Sequence, residues 1–271
     1  MRQMTHRSAR LLLSTSLAVA VAMAAAGCSI GPRSDVTGSI AAPAQPRSEA
    51  EWRSEMETAG ARYRTDPRDS DAAMRYAQAL RAIGQRAQAA AVLEQAAIQN
   101  PQNRALLGAY GRALADAGRY ETALEVLSRA HSPDQPDWRI LSVQGAVLDQ
   151  VGRHQEAQNH YASALRLMPN EPAVLSNLGL SYALSKDLPK AEATLRRAAA
   201  QPGAAPKVRQ NLALVIGLQG RFAEAEALAR GDLSPEEAAA NVAYLKQMLA
   251  QHNDLAKKKS SVAPVPPRTG T

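Results

Sequence analysis

The 271-residue chain contains one cysteine and one phenylalanine, and aromatic residues make up only 4% of it. A single cysteine excludes an intramolecular disulfide. Alanine dominates the hydrophobic residues, which are 45% of the chain. Small, unbranched side chains in this quantity favour closely packed helices over sheets. The composition therefore predicts an all-α protein.

The chain also lacks a basic surface of the kind that binds nucleic acid, although its pI is about 9.7. Nine of the 32 basic residues lie before Ser48 or after Ala256, together with one of the 25 acidic residues. The body between these points is near neutral and has no basic face with interleaved aromatics. Nucleic acid is not expected as a partner.

Motifs for catalysis are missing as well. The sequence has no phosphate-binding loop, dinucleotide fingerprint or G-x-S-x-G turn. His154 and His160 are six residues apart, which does not place two metal ligands on one helix face, and surface histidines are expected. We predict no catalytic residue, no metal site, no small-molecule substrate and no cofactor beyond a covalent lipid.

The segment that precedes Cys28 has the layout of an export signal. A basic start precedes an uncharged run from Leu11 to Ala24, about 14 residues, too short to span a membrane comfortably. The run leads into Ala25, Ala26, Gly27 and Cys28.

This ending resembles the lipobox of bacterial lipoproteins. The resemblance implies that signal peptidase II recognises Ala25, Ala26 and Gly27 and cuts before Cys28, which then carries the lipid. The alternative is an ordinary secretory signal with an incidental cysteine. Ser29, where aspartate would favour the inner membrane, favours the periplasmic face of the outer membrane. Residues 28–47, rich in glycine and proline, are expected to form a flexible tether.

Five residue series repeat along the body, all with the same 34-residue period. The clearest is an alanine series, and four of five turn positions in a second series are glycine, with Lys186 at the remaining step. The alanines are Ala89, Ala123, Ala157, Ala191 and Ala225.

A 34-residue unit with this arrangement of small and large residues resembles the tetratricopeptide repeat. The resemblance implies a right-handed solenoid of antiparallel helix pairs. The expected repeats are 70–103, 104–137, 138–171, 172–205 and a degenerate fifth, 206–239. Capping helices are expected at 48–66 and 235–255, because terminal repeats expose apolar faces. The basic tail, 257–271, is expected to be disordered.

In tetratricopeptide repeats, the first helix of each pair lines a concave groove. Carried over by position, the resemblance gives an apolar end of the groove, for which we expect an apolar peptide, such as an amphipathic helix. The alternative is that the helix after Ser234 folds back and covers this end. The candidate groove residues are Leu180, Leu184, Leu214, Leu218, Asn177 and Asn211. The two asparagines also suit a purely structural role.

Several segments after residue 170 resemble the TadD family of Flp/Tad pilus assembly lipoproteins. They include Asn177–Leu184, Ala191–Ala198 and, beyond the last repeat, Asn241-Val242-Ala243-Tyr244-Leu245. The resemblance implies a pilotin-like scaffold that helps an outer-membrane secretin to localise or assemble, with the secretin and other pilus components as protein partners. The alternative is a general periplasmic scaffold for cell-wall or envelope assembly.

Overall fold

The computed structural model describes residues 47–261, without the side chains of 253 and 255–261. The export signal, Cys28, the tether up to residue 46 and the tail from residue 262 lie outside the described residues. The described part contains twelve α-helices, packed pairwise as in tetratricopeptide repeats, and this confirms the all-α prediction. None of these helices is long and apolar enough to cross a membrane.

The helices alternate along the chain with short turns. Their bounds are α1 Glu49–Thr65, α2 Ser70–Ala82, α3 Arg86–Gln99, α4 Arg104–Asp116, α5 Tyr120–Arg129, α6 Trp138–Gln150, α7 His154–Leu167, α8 Pro172–Leu184, α9 Leu188–Ala199, α10 Pro206–Leu218, α11 Phe222–Ala229 and α12 Pro235–Ser261. The first helices of the five pairs are α2, α4, α6, α8 and α10.

Each first helix begins at the same phase of the 34-residue period. In the first four pairs, a side-chain oxygen of the N-cap residue accepts a hydrogen bond from a backbone N–H of the first turn. The N-cap residues are Asp69, Asn103, Asp137 and Glu171. Ala205, the N-cap of α10, makes no side-chain hydrogen bond to the helix. In this pair Pro206 at the first helical position favours the start of the helix instead.

The core consists of the repeating series, because in the first four pairs a small residue on the first helix faces a large one on its partner helix. A Cβ on Gly111 would lie 2.4 Å from Leu127 Cγ, and a Cβ on Gly145 would lie 2.7 Å from Tyr161 Cε1. The five alanines of the 34-residue series are at most 1% exposed. Helix packing this close leaves no room for larger residues at these positions.

The fifth pair is shorter than the others. Helix α11 has 8 residues, whereas α3 and α7 have 14 each. In this pair two small residues, Ala213 and Ala229, share a cluster with Ala238 of α12. The loss of the large residue thus lets α12 approach the pair closely.

The tail prediction is wrong at its start. Helix α12 continues to Ser261, six residues past the expected end of the cap, so residues 257–261 are helical. The physical reason is local, since alanine and lysine are good helix formers and the nearest proline downstream is Pro264.

Candidate protein-binding groove

The first helices form one continuous inner surface. Among the described residues, the backbone of each first helix closely approaches that of the next first helix, from α2 to α10, whereas the backbones of successive second helices do not approach one another in this way. An array of helix pairs in which one row of helices is more closely spaced than the other curves towards the closely spaced row. The first helices therefore line the concave side.

The four candidate leucines lie on this inner side and outside the core. Leu180, Leu214 and Leu218 are half-buried, and Leu184 is 53% exposed. None of the four belongs to a hydrophobic core cluster of the described residues. They present apolar surface that the fold itself does not use.

The two candidate asparagines hold neighbouring first helices together. The side-chain amide of Asn177 donates to Ser142 Oγ at 3.3 Å, and that of Asn211 donates to Ser176 Oγ at 3.0 Å. Each bond joins a first helix to the preceding one. Because their amide donors are engaged in this way, the case for ligand binding depends on the leucines.

Helix α12 does not fold back over the groove. Among the described helices it contacts α10 and α11 but not α8, which carries Leu180 and Leu184. Leu245 packs against Gly217 of α10, so that a Cβ on Gly217 would lie 2.4 Å from Leu245 Cδ2. Lys246 Nζ lies 5.0 Å from the centre of the Phe222 ring of α11. The helix thus stacks onto the fifth pair as a further first helix.

The sequence of α12 repeats that of α10, with Asn241 in the place of Asn211. Asn241-Val242-Ala243-Tyr244 corresponds to Asn211-Leu212-Ala213-Leu214, and Val242 is 6% exposed where Leu212 is 3% exposed. Tyr244, 66% exposed, therefore occupies the position of Leu180 and Leu214. Met248 likewise occupies the position of Leu184 and Leu218, and it is half-buried.

The apolar wall of the groove accordingly runs over three helices, α8, α10 and α12. We define it by Leu180, Leu184, Leu214, Leu218, Tyr244 and Met248. Sequence reasoning missed the last two because it applied a fixed 34-residue spacing. The recurrence of asparagine, an aliphatic residue and a small residue at Asn241 was the signal that could have found them.

A buried polar cluster lies in the middle of the array. The Asp149 carboxylate, whose side chain is 7% exposed, accepts hydrogen bonds from Ser181 Oγ at 2.8 Å and from the Tyr161 hydroxyl at 3.1 Å. His154 Nδ1 lies 2.8 Å from the same carboxylate. Burial, followed by the nearby Asp149 charge, raises the pKa of the Tyr161 hydroxyl far above its usual range.

His154 and His160 are less exposed than the sequence predicts. His154 is bonded to Asp149, and His160 is half-buried with its Nδ1 atom enclosed and without a hydrogen-bond partner. Burial, followed by the proximity of His131, lowers the pKa of His160. Within residues 47–261, no group of three or more histidine, cysteine or acidic residues is arranged to hold a metal ion.

Three models of the tetratricopeptide repeat family match residues 80–146, 143–206 and 208–230, which together make up more than half of the chain. The fold and these matches define the class: a non-enzymatic protein-binding scaffold. The chain is a tetratricopeptide repeat protein. No curated protein sequence matches it significantly.

Solved structures share the fold at low sequence identity. A thermophilic tetratricopeptide repeat protein of Thermus thermophilus superposes with a TM-score of 0.57 at 24% identity, covering 66% of this chain and 99% of that one. PilW, described as a widely conserved type IV pilus biogenesis factor, gives 0.61 at 16% identity, covering 71% and 91%. A chain of the APC/C hetero-tetramer Cut9-Hcn1 gives 0.62 at 14% identity, covering 75% and 40%.

Proposed function

We propose that this protein is a lipid-anchored periplasmic scaffold of Flp/Tad (type IVb) pilus assembly. In this proposal Cys28 carries the lipid and holds the protein at the periplasmic face of the outer membrane. The groove binds the secretin or another pilus component and helps the secretin to localise or assemble. Multiple acyl chains on one residue give stable membrane anchoring, where a single chain is marginal.

One observation carries the binding part of the proposal. The apolar wall lies on the concave side, outside the core clusters, and α12 extends it without contacting α8. Partly exposed leucines in line on adjacent helices suit the apolar face of a partner helix. The link to pilus assembly is supported by the TadD-like segments after residue 170. It is also consistent with the recurrence of this fold in PilW, although 16% identity supports the fold alone.

The division of labour is mechanical. The lipid anchor determines the location of the scaffold at the membrane, and the groove determines which protein segment it binds. Confining both to one surface raises the effective concentration of the partner without adding contacts. Such a scaffold needs no reacting group in the groove.

The groove is tested by substituting the wall with charge. We expect Leu184→Asp combined with Leu214→Asp to abolish secretin co-purification while the helical circular dichroism signal is retained, because a buried, unpaired carboxylate opposes docking of an apolar face. Ile98→Asp is the matched control, because Ile98 is 63% exposed on α3, away from the inner surface. Secretin binding that survives the double substitution would exclude the apolar wall as the binding surface.

Anchoring and pilus function are tested in cells. We expect deletion of the gene to remove the heat-resistant secretin multimer from isolated outer membranes, and a Cys28→Ala copy to fail to restore it. A normal multimer in the deletion strain would contradict the secretin role. That result would favour a general scaffold of envelope assembly.

A further inference from the structure

A positive charge without a partner lies on the concave side of α4. Arg112 makes no ion pair and no hydrogen bond with another described residue. One turn further along, Asp116 is paired with Arg81 of α2, with 2.5 Å between Asp116 Oδ2 and Arg81 Nε. The three side chains together therefore carry a net charge of +1.

Arg112 lies on the concave side of the array. Its side chain is exposed to solvent, yet the surrounding protein lowers the pKa of its guanidinium by desolvation, Arg81 lowers it further, and Asp116 opposes both. A guanidinium that solvent reaches while protein surrounds it is well placed to hold an incoming carboxylate, since five donors are available to it.

Arg112 is in line with the apolar wall. It lies two repeats before Leu180 and occupies the same position of its first helix. Helix α4 contacts α6, and α6 contacts α8. With packed helices about 10 Å apart, the two positions are about 20 Å apart. An extended peptide covers this distance in about six residues, and a helix covers it in about thirteen.

Between α4 and α10, the other charges at the positions that line the groove in tetratricopeptide repeats have the same sign or are already satisfied. Arg139 and Lys207, at groove positions of α6 and α10, are exposed and positive. Asp116 is paired with Arg81, and Asp149 is held in the buried polar cluster. Between α4 and α10 the groove therefore offers positive charge.

This charge excludes the chain's own basic end as the occupant. Lys257, Lys258 and Lys259 would be repelled by Arg112, Arg139 and Lys207. The backbone of residues 257–261 also continues α12 instead of turning back. A segment of another protein that carries the opposite charge fits the groove better than this basic end does.

We propose that the groove recognises a two-part segment of a partner protein: an apolar stretch seated on the wall of α8, α10 and α12, and an acidic side chain or terminal carboxylate held by Arg112. The inference rests on the proposed use of the groove for protein binding and specifies the chemistry of the partner. Apolar contact supplies the area, and the charge fixes the direction in which the segment lies.

Selection from random 16-residue peptides displayed on phage, with the full-length protein in detergent as bait, tests the inference without a known partner. Peptides whose capture is lost with Leu184→Asp combined with Leu214→Asp bind the wall. Among these we expect enrichment of Asp, Glu or a free C-terminus on one side of an apolar stretch. Arg112→Gln should lower the affinity of the acidic peptides about tenfold and weaken its salt dependence. Arg129→Gln, an exposed position on α5, is the control and should leave both unchanged.

The outcomes separate this inference from the proposed function. Wall-binding peptides without an acidic group, or with unchanged affinity for Arg112→Gln, would overturn the two-part recognition and leave the groove as a binding site. A selection yielding no wall-dependent peptide would overturn both the inference and the groove. Acidic peptides together with a normal secretin multimer in the deletion strain would leave the inference standing and remove the pilus role.

Discussion

Gly145 tests how tightly the helix pairs are packed, through its replacement by alanine. The new Cβ would lie 2.7, 2.8 and 3.0 Å from Cε1, Cζ and Cδ1 of Tyr161. The ring has little room to move, because it is 1% exposed and its hydroxyl is bonded to Asp149. Overpacking of this kind costs about 1–3 kcal/mol.

A second effect of the same substitution has the opposite sign. Alanine favours the helix by about 1 kcal/mol over glycine. We therefore expect Gly145→Ala to lower the free energy of unfolding by up to about 2 kcal/mol net. Urea unfolding followed by circular dichroism at 222 nm measures this, with the m-value checked for unchanged cooperativity.

A double-mutant cycle isolates the contact. In a Tyr161→Ala background the ring is gone, so Gly145→Ala should become neutral or stabilise by up to about 1 kcal/mol. An equal effect of Gly145→Ala in both backgrounds would refute the argument that the Tyr161 ring requires glycine.

Three further predictions concern the turns and the polar contacts. Lys186 has a φ of 67° at the turn position that glycine occupies in the other repeats, so Lys186→Gly should raise the free energy of unfolding by up to about 1 kcal/mol. Gly152 has a φ of 78° at the same turn position, so Gly152→Ala should lower the free energy of unfolding by about 1 kcal/mol in the same urea assay. Burial raises the pKa of Glu192, but hydrogen bonds from Gln219, Arg221 and Arg196 outweigh it and lower the pKa to about 2. The lowered pKa of Glu192 contributes stability that is present above the unfolded pKa of 4.5 and is lost as the pH falls towards 2. Glu192→Gln should therefore flatten the dependence of the unfolding free energy on pH between these two values. An unchanged pH dependence would contradict the role assigned to Glu192. Asp149→Ala leaves two buried hydroxyls without an acceptor and should cost about 1–3 kcal/mol, with the loss of hydrogen-exchange protection expected first in α8.

The fold class could be predicted because the repeat imposes the same packing many times. One alanine series and one glycine series each recur at a fixed spacing, and chance does not align them. The short α11 follows from Ala229, which stands where the other repeats carry Leu or Tyr and therefore cannot fill the gap opposite Ala213.

The role of α12 could not be obtained from the same periodicity. A shorter α11 shifts the following helix by four residues, so Tyr244 and Met248 leave the 34-residue register although they keep their place on the groove. The unpaired charge of Arg112 could not be predicted from the sequence either. Asp116 is paired with Arg81, which lies on a different helix and is distant in sequence, so the sequence did not show that Asp116 is unavailable to Arg112.

Two-part recognition requires that the distance between Arg112 and the apolar wall be fixed, and the middle of the array provides this. Asp149 of α6 binds Tyr161 of α7 and Ser181 of α8, so one buried carboxylate ties three consecutive helices together between the charged and the apolar ends. Asn177 adds a bond from α8 back to α6 through Ser142. Apolar packing alone tolerates sliding of one helix past another, whereas hydrogen bonds to a buried carboxylate hold one register, since any shift leaves a polar group unsatisfied. The polar residues buried between the repeats thus fit a function that depends on spacing, which the apolar core by itself would not specify.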